Sequence, residues 1–142
     1  MTVQWDTTLR NALLDAWETA IGVSAKVAIY SGSMPANAAA DTTGTKLVEW
    51  DLGSDWAANA SAGSKALSGT PIAGTGAATG TAGYYRIFTS AQSTAPGSTK
   101  PCMEQGTVTA TGGGGDLTVD NTSIASGQTV NITGFTKTAP GA

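Results

Sequence analysis

The 142-residue chain contains no histidine and one cysteine, Cys102. Without histidine, Ser/His/Asp and Cys/His nucleophile systems and His-ligated zinc are excluded. A lone cysteine can form neither an intrachain disulfide nor a cysteine metal cluster. Cys102 lies between Pro101 and Met103 with no flanking base to lower its pKa, so it reads as a small packing residue rather than a reactive thiol. Charge is scarce as well, at 12% of residues with a net of −3. The cations Arg10, Lys26, Lys46, Lys65, Arg86, Lys100 and Lys137 are scattered singly, leaving no basic cluster to neutralise phosphates, so no nucleic-acid partner is expected. No run approaches the ~18 apolar residues that would cross a membrane. Thr2, Gln4, Asp6 and Thr7 stand where a leader would carry its cationic and apolar regions. A soluble protein made in a cytoplasm, with no membrane partner, is the expectation.

Large apolar residues are also few. Leu, Ile, Val and Phe make up about 15% of the chain, below the roughly 20% under which disorder becomes a concern. Disorder also needs high charge, which is missing, so a thin core is the better reading. The length suits one domain, 1–142. Thin cores are often completed by association, so homo-oligomerisation is expected.

What is present begins with Leu9 to Tyr30, LRNALLDAWETAIGVSAKVAIY. After an N-terminal segment 1–8, capping by Asp6, Thr7 or Thr8 predicts a helix over about 8–21. Its apolar stripe is Leu9, Leu13, Ala16, Trp17 and Ala20, widened by Leu14 and Ile21, with Arg10, Asn11, Asp15 and Glu18 on the remainder. Gly22 ends it, and Leu13, Trp17 and Ile21 are expected to fix the subunit core. Strands are predicted at 25–30, 46–52, 84–90, 102–111, 117–120 and 129–135, with 84–90 central and the glycines 112–115 turning a hairpin. Ala36 to Thr45 has no large apolar residue and reads as a long surface loop. The nearly low-complexity stretch 54–83 reads as irregular or short paired elements. The tail 135–142 reads as an extended arm. The fold expected is mainly β, an antiparallel β-sandwich or jelly roll with one N-terminal α-helix packed across it.

Candidate chemistry is sparse. Glu49 and Asp51 share a strand face and could form a glycosidase carboxylate pair, but a solvated face beside Val48, Trp50 and Leu52 explains them as well. Asp116, Asp120 and Asn121 offer oxygens to a hard cation at a spacing that matches no EF-hand loop. Gly74, Gly76, Gly80 and Gly83 are one residue too long for G-x-G-x-x-G and precede no helix, so they read as a turning loop. Asn59, Asn121 and Asn131 head glycosylation sequons in form only. Catalytic residues, cofactors and metals are therefore not assigned. Of the tryptophans, Trp17 and Trp50 read as core, leaving Trp5 and Trp56 for an oligomer contact or a sugar platform.

The run LRNALLDAWETAIGVSAKVAIYSGSMP, then Thr43 to Leu47, Gly80-Thr81-Ala82 before Tyr85-Arg86-Ile87, Gln105 to Val108, and Gly127 to Thr133, resembles a family of small virion proteins of tailed bacteriophages across nearly the whole chain. The resemblance implies a structural head component, a capsid decoration or cement protein that binds the major capsid protein on the outside of the virion. Joined to the thin core, it suggests a homo-oligomer, a trimer by expectation. Interface contacts are expected from Trp5, Trp56 and the arm, including Phe135, Lys137 and Pro140. The alternative is a tail, neck or fibre component that binds a host-surface glycan through Trp56, Tyr84 or the adjoining loop.

Overall fold

The structure, a computed structural model, describes residues 3–97 and 101–141. A single helix, α1 (Thr7–Ile21), precedes nine strands: β1 (Lys26–Ser31), β2 (Lys46–Asp51), β3 (Ser64–Ala66), β4 (Ile72–Thr75), β5 (Gly80–Phe88), β6 (Glu104–Ala110), β7 (Leu117–Val119), β8 (Ser123–Ile124) and β9 (Thr129–Thr138). The strands run in the order β2-β1-β5-β6-β7-β9-β3, with β4 also on β9 and β8 on the start of β5. The sheet curls until β4 reaches β2. There Val48 bridges Gly76, Ala77 N donates to Leu47 O at 2.7 Å, and the Trp50 indole donates to Ile72 O at 3.1 Å. The mainly β fold with one N-terminal helix expected from the sequence is therefore what the chain adopts. β3 and β4 are the short paired elements of the stretch 54–83, and β5 is central, paired on both sides by β1 and β6.

Alternation places Val27, Ile29, Leu47, Trp50, Ile87, Leu117, Val119, Val130 and Ile132 inside the curl, all nearly inaccessible. β1 is buried on both faces: Ala28 and Tyr30 point outward into a second cluster with Tyr84, Phe88 and Cys102. Tyr30 and Tyr84 stack there at 5.3 Å, and burial pushes the Cys102 thiol up from its ordinary pKa.

The cover of that second cluster includes the 36–45 segment, the surface loop expected from the sequence, which has no large apolar residue to anchor it. Its anchor comes from the sheet. Arg86 on β5 is fully inaccessible. Its Nη1 donates to Ala40 O at 2.9 Å and Thr42 Oγ1 at 3.0 Å, and its Nη2 to Asn37 O at 3.3 Å and Gln105 Oε1 at 2.7 Å. Tyr84 Oη adds a 2.6 Å bond to Thr43 O. The loop thus supplies backbone acceptors, and a forked cation organises them.

The glycine run departs from expectation. β6 and β7 pair in parallel, Val108 opposite Leu117, so residues 112–115 do not turn a hairpin. They double back along β6. A Cβ on Gly113 or Gly115 would collide with Thr109, so side chains are excluded from the return path. Gly115 N donates to Thr109 Oγ1 at 3.0 Å, and Asp116 Oδ2 accepts from Thr107 N at 2.9 Å and Thr107 Oγ1 at 2.8 Å. The sheet is consequently mixed rather than wholly antiparallel.

Replacing Arg86 by Met should cost about 3 kcal/mol, because buried acceptors lose a charged donor. Hydrogen exchange at 36–45 should accelerate before the rest of the sheet, and Arg86→Lys should restore little, since one ammonium cannot span the four acceptors. Unchanged protection of that loop in Arg86→Met would refute its role as the anchor.

Candidate functional site: the outer face of the N-terminal helix

α1 starts at Asp6, whose carboxylate accepts from Thr8 N at 2.8 Å, and ends at Gly22, whose positive φ of 88° is open to glycine and whose N–H returns to Glu18 O at 2.8 Å. Its extent matches the sequence reading; its orientation does not. The buried residues are Arg10, Leu14 and Ile21. Leu9 is 48% exposed and Leu13 43%, so Leu13 is not a core residue.

The reason lies in what the helix packs against. Residues 57–65 bring bare backbone N–H groups and one lysine, and these pair with the polar side of α1. Gly63 N donates to Asn11 Oδ1 at 2.8 Å, Ala60 N to Asp15 Oδ1 at 3.0 Å, and Ala57 N to Glu18 Oε1 at 3.3 Å. The Lys65 side chain, 1% exposed, lies 2.7 Å from Asp15 Oδ1 and 2.8 Å from Glu18 Oε2. Arg10 donates to Ala139 O from Nε at 3.3 Å and Nη2 at 3.1 Å; a Cβ on Gly63 would occupy the guanidinium's place. Buried N–H groups demand acceptors, and the helix supplies them on the face that sequence periodicity assigns to solvent.

Half-buried Trp17 completes the docking. Its indole donates to Glu104 Oε2 at 2.8 Å, while Glu104 Oε1 accepts from Tyr85 Oη at 2.6 Å and pairs with Lys137 Nζ at 2.7 Å. The Trp17 ring meets Trp56 edge-on at 5.1 Å and stacks on Phe135 at 6.0 Å. Burial, with the Glu104 charge beside it, drives the Tyr85 phenol well above its ordinary pKa.

The outer face of α1 is left with Leu9, Ala12, Leu13, Ala16 and Ala20, continued by Val23, which is 63% exposed. Spacings of three and four align these residues in one stripe without a charged side chain.

Several expected interface residues lie elsewhere. Trp56 is 3% exposed and donates to Gly22 O at 2.9 Å, closing the helix end, so it is a core residue and not a platform. Phe135 is 4% exposed in the same core, and Lys137 is half-buried on Glu104. The arm is no free extension: 135–138 belong to β9, which pairs with β3, and Trp5 N donates to Gly141 O at 2.7 Å. Residue 142 lies outside the described residues. Half-buried Trp5 and exposed Pro140 remain accessible beside this strap.

Of the chemical candidates, Glu49, Asp120 and Asn121 are engaged locally, while Asp51 lies exposed at the end of β2. Burial works against the Glu49 carboxylate, but hydrogen bonds from Lys46 and Thr94 outweigh it and hold its pKa below the ordinary value, the opposite of a general acid's requirement. Asp120 accepts from Asn131 N at 3.0 Å and Nδ2 at 2.6 Å, and Asn121 from Ser123 N at 2.9 Å. Among the described residues no group of three or more His, Cys, Asp or Glu is placed to hold a metal ion, and no helix is long and apolar enough to cross a membrane. Gly74 and Gly83 admit the Trp50 indole and the Gly32 backbone, respectively, rather than a phosphate.

Lys65→Met keeps the aliphatic stem but removes the charge that Asp15 and Glu18 share. It should cost about 2 kcal/mol at neutral pH, since both carboxylates keep some hydration. Hydrogen bonding to Lys65 holds the Asp15 pKa below the usual carboxylate value, so its stabilisation is present above about pH 4 and is lost as pH falls through the folded-state value. Burial opposes the Lys65 charge, yet bonds to Asp15 and Glu18 outweigh it and raise its pKa, so its contribution persists to about pH 10 and is lost above. The wild-type advantage over Lys65→Met in thermal unfolding should therefore shrink at both extremes; a pH-independent difference would contradict the ionic account. No protein-family model, curated protein or solved structure matches this chain.

Proposed function

We propose that this chain is a structural subunit that assembles through the outer face of α1, and, with the resemblance to small virion proteins of tailed phages, that it is a capsid decoration or cement protein. The supporting observation is the charge-free stripe of Leu9, Leu13, Ala16, Ala20 and Val23 turned to solvent in a chain with few large apolar residues. The occupant of the stripe is a second copy of the chain. Of the exposed large apolar residues Val3, Leu9, Leu13, Val23, Met34 and Met103, four lie on or beside α1. The described surface thus offers no better uncharged match for the stripe than the stripe itself, and stripes of several copies meeting about one symmetry axis bring no like charges together.

Covering the exposed halves of Leu9, Leu13 and Val23 contributes about 3 kcal/mol per copy. Association costs about 4–15 kcal/mol. A pair held by the stripe alone is weak, which favours a closed oligomer, a trimer on this reading, with Trp5 and Pro140 adding area and the major capsid protein as the external partner. Burial of Trp56 and Tyr84 leaves the glycan-binding tail, neck or fibre reading with the adjoining loop alone.

Sedimentation of wild type should show concentration-dependent association. Leu9→Glu/Leu13→Glu should sediment as a folded monomer with unchanged far-UV circular dichroism and should fail to add to capsids lacking the protein. A wild type that stays monomeric at high concentration and leaves such capsids bare would sink the proposal.

A further inference from the structure

On the outer face of the seam between β7 and β9, away from α1, lies an open cavity of about 280 Å³ lined by Gly115, Asp116, Thr118, Gly134, Phe135 and Thr136. It exists because side chains are missing: two of its six lining residues are glycines, and Phe135 is 4% exposed, its ring engaged with Trp17 and Tyr85. The polar side chains left to reach into it are those of Asp116, Thr118 and Thr136. None of the lining residues is a cation.

Asp116 and Thr118 are held in place. Asp116 Oδ2 accepts from the Thr107 N–H and hydroxyl, whereas its Oδ1 takes no hydrogen bond from the described residues. Thr118 Oγ1 contacts Thr133 Oγ1 at 3.0 Å and donates to Gly134 O at 3.3 Å, and Thr133 Oγ1 in turn contacts Thr111 Oγ1 at 2.6 Å. A hydroxyl ladder thus runs across β7 and β9 into the cavity wall and fixes the rotamers there, so a ligand need not order these side chains.

We propose that this cavity is a binding site for a neutral sugar ring. The volume lies just below the range of about 300–1,000 Å³ for ligand sites, which fits a single ring. A sugar carries several O–H groups that donate and accept, matching one fixed carboxylate oxygen and two hydroxyls. An anion meets only the Asp116 charge, with no cation to receive it. A cation meets one carboxylate and two hydroxyl oxygens, with no exposed aromatic face to add to them.

Gly134→Ala is the discriminating variant. Its backbone lies outside the left-handed region, and a Cβ there would meet only Thr118 Oγ1, at 2.9 Å, so the fold is retained while the added methyl narrows the cavity and displaces that hydroxyl. In ¹H–¹⁵N spectra of the full chain, glucose, galactose, mannose and N-acetylglucosamine are each titrated to about 50 mM, weak single-ring binding being expected on size alone. At least one should give saturable shifts centred on Gly115, Asp116, Thr118, Gly134 and Thr136. Gly134→Ala should weaken that binding at least tenfold with the rest of the spectrum unchanged, and Thr136→Val should weaken it as well. No saturable shift with any of the four, shifts centred elsewhere, or undiminished binding in Gly134→Ala overturns the assignment. Binding by methylammonium but none of the sugars overturns it in favour of a cation site.

Discussion

The Glu104 carboxylate is the point on which the helix, the sheet and the C-terminal strand converge. One oxygen takes the Trp17 indole from α1; the other takes the Tyr85 phenol from β5 and the Lys137 ammonium from β9. A carboxylate withdrawn from water is costly unless its acceptor sites are filled. Here they are filled by three residues distant in sequence, so the three elements are held in one arrangement or the charge is left unmet. The aromatic contacts of Trp17 with Trp56 and Phe135 follow from the same placement.

Arg86 and Lys65 repeat this solution on a chain poor in large apolar residues. Arg86 collects carbonyls from the 36–45 loop, and Lys65 collects Asp15 and Glu18 from the helix. In each case a long side chain from a strand fixes a neighbouring element through polar contacts, and the 36–45 loop has no bulky residue of its own. Apolar area is non-directional and tolerates sliding, whereas forked and charge-assisted bonds fix geometry. Segments rich in Ala, Gly and Thr can in this way be well placed without contributing much core.

That same economy explains which parts of the fold are legible in the sequence. The extent of α1 and the strands around Val27, Trp50, Tyr85 and Ile132 follow from capping and periodicity, because those residues obey the usual partition of apolar inside and polar outside. The face of α1 does not follow. Periodicity finds a stripe but not the side it faces, and Arg10, Asn11, Asp15 and Glu18 point inward because residues 57–65 and Ala139 present unpaired backbone groups. Trp56 reads as free only while the end of the helix is seen as needing no further partner, and its indole meets the Gly22 carbonyl there. The glycines 112–115 suit a hairpin turn on composition; what distinguishes the return path is their number, since a two-residue turn needs one or two glycines, whereas here Gly113 and Gly115 pass too close to Thr109 for a Cβ and Gly112 and Gly114 take positive φ. The β7–β9 cavity gives no sequence signal, since Gly115 and Gly134 are brought to one wall only by the fold.

Inverting the helix has a consequence for assembly. In an obligate oligomer the apolar face of an element is its only docking surface, and the monomer does not persist without a partner. Here α1 is fastened to its own sheet by polar and aromatic contacts and by buried Leu14 and Ile21, none of them involving Leu9, Leu13, Ala16, Ala20 or Val23. Folding and the proposed association therefore draw on different residues and can occur in sequence, with a monomer that accumulates folded and associates only where local concentration or a templating surface offsets the entropy of association. A subunit that must be made in bulk and add late to a preformed shell requires that separation, and a helix docked by its charged face supplies it.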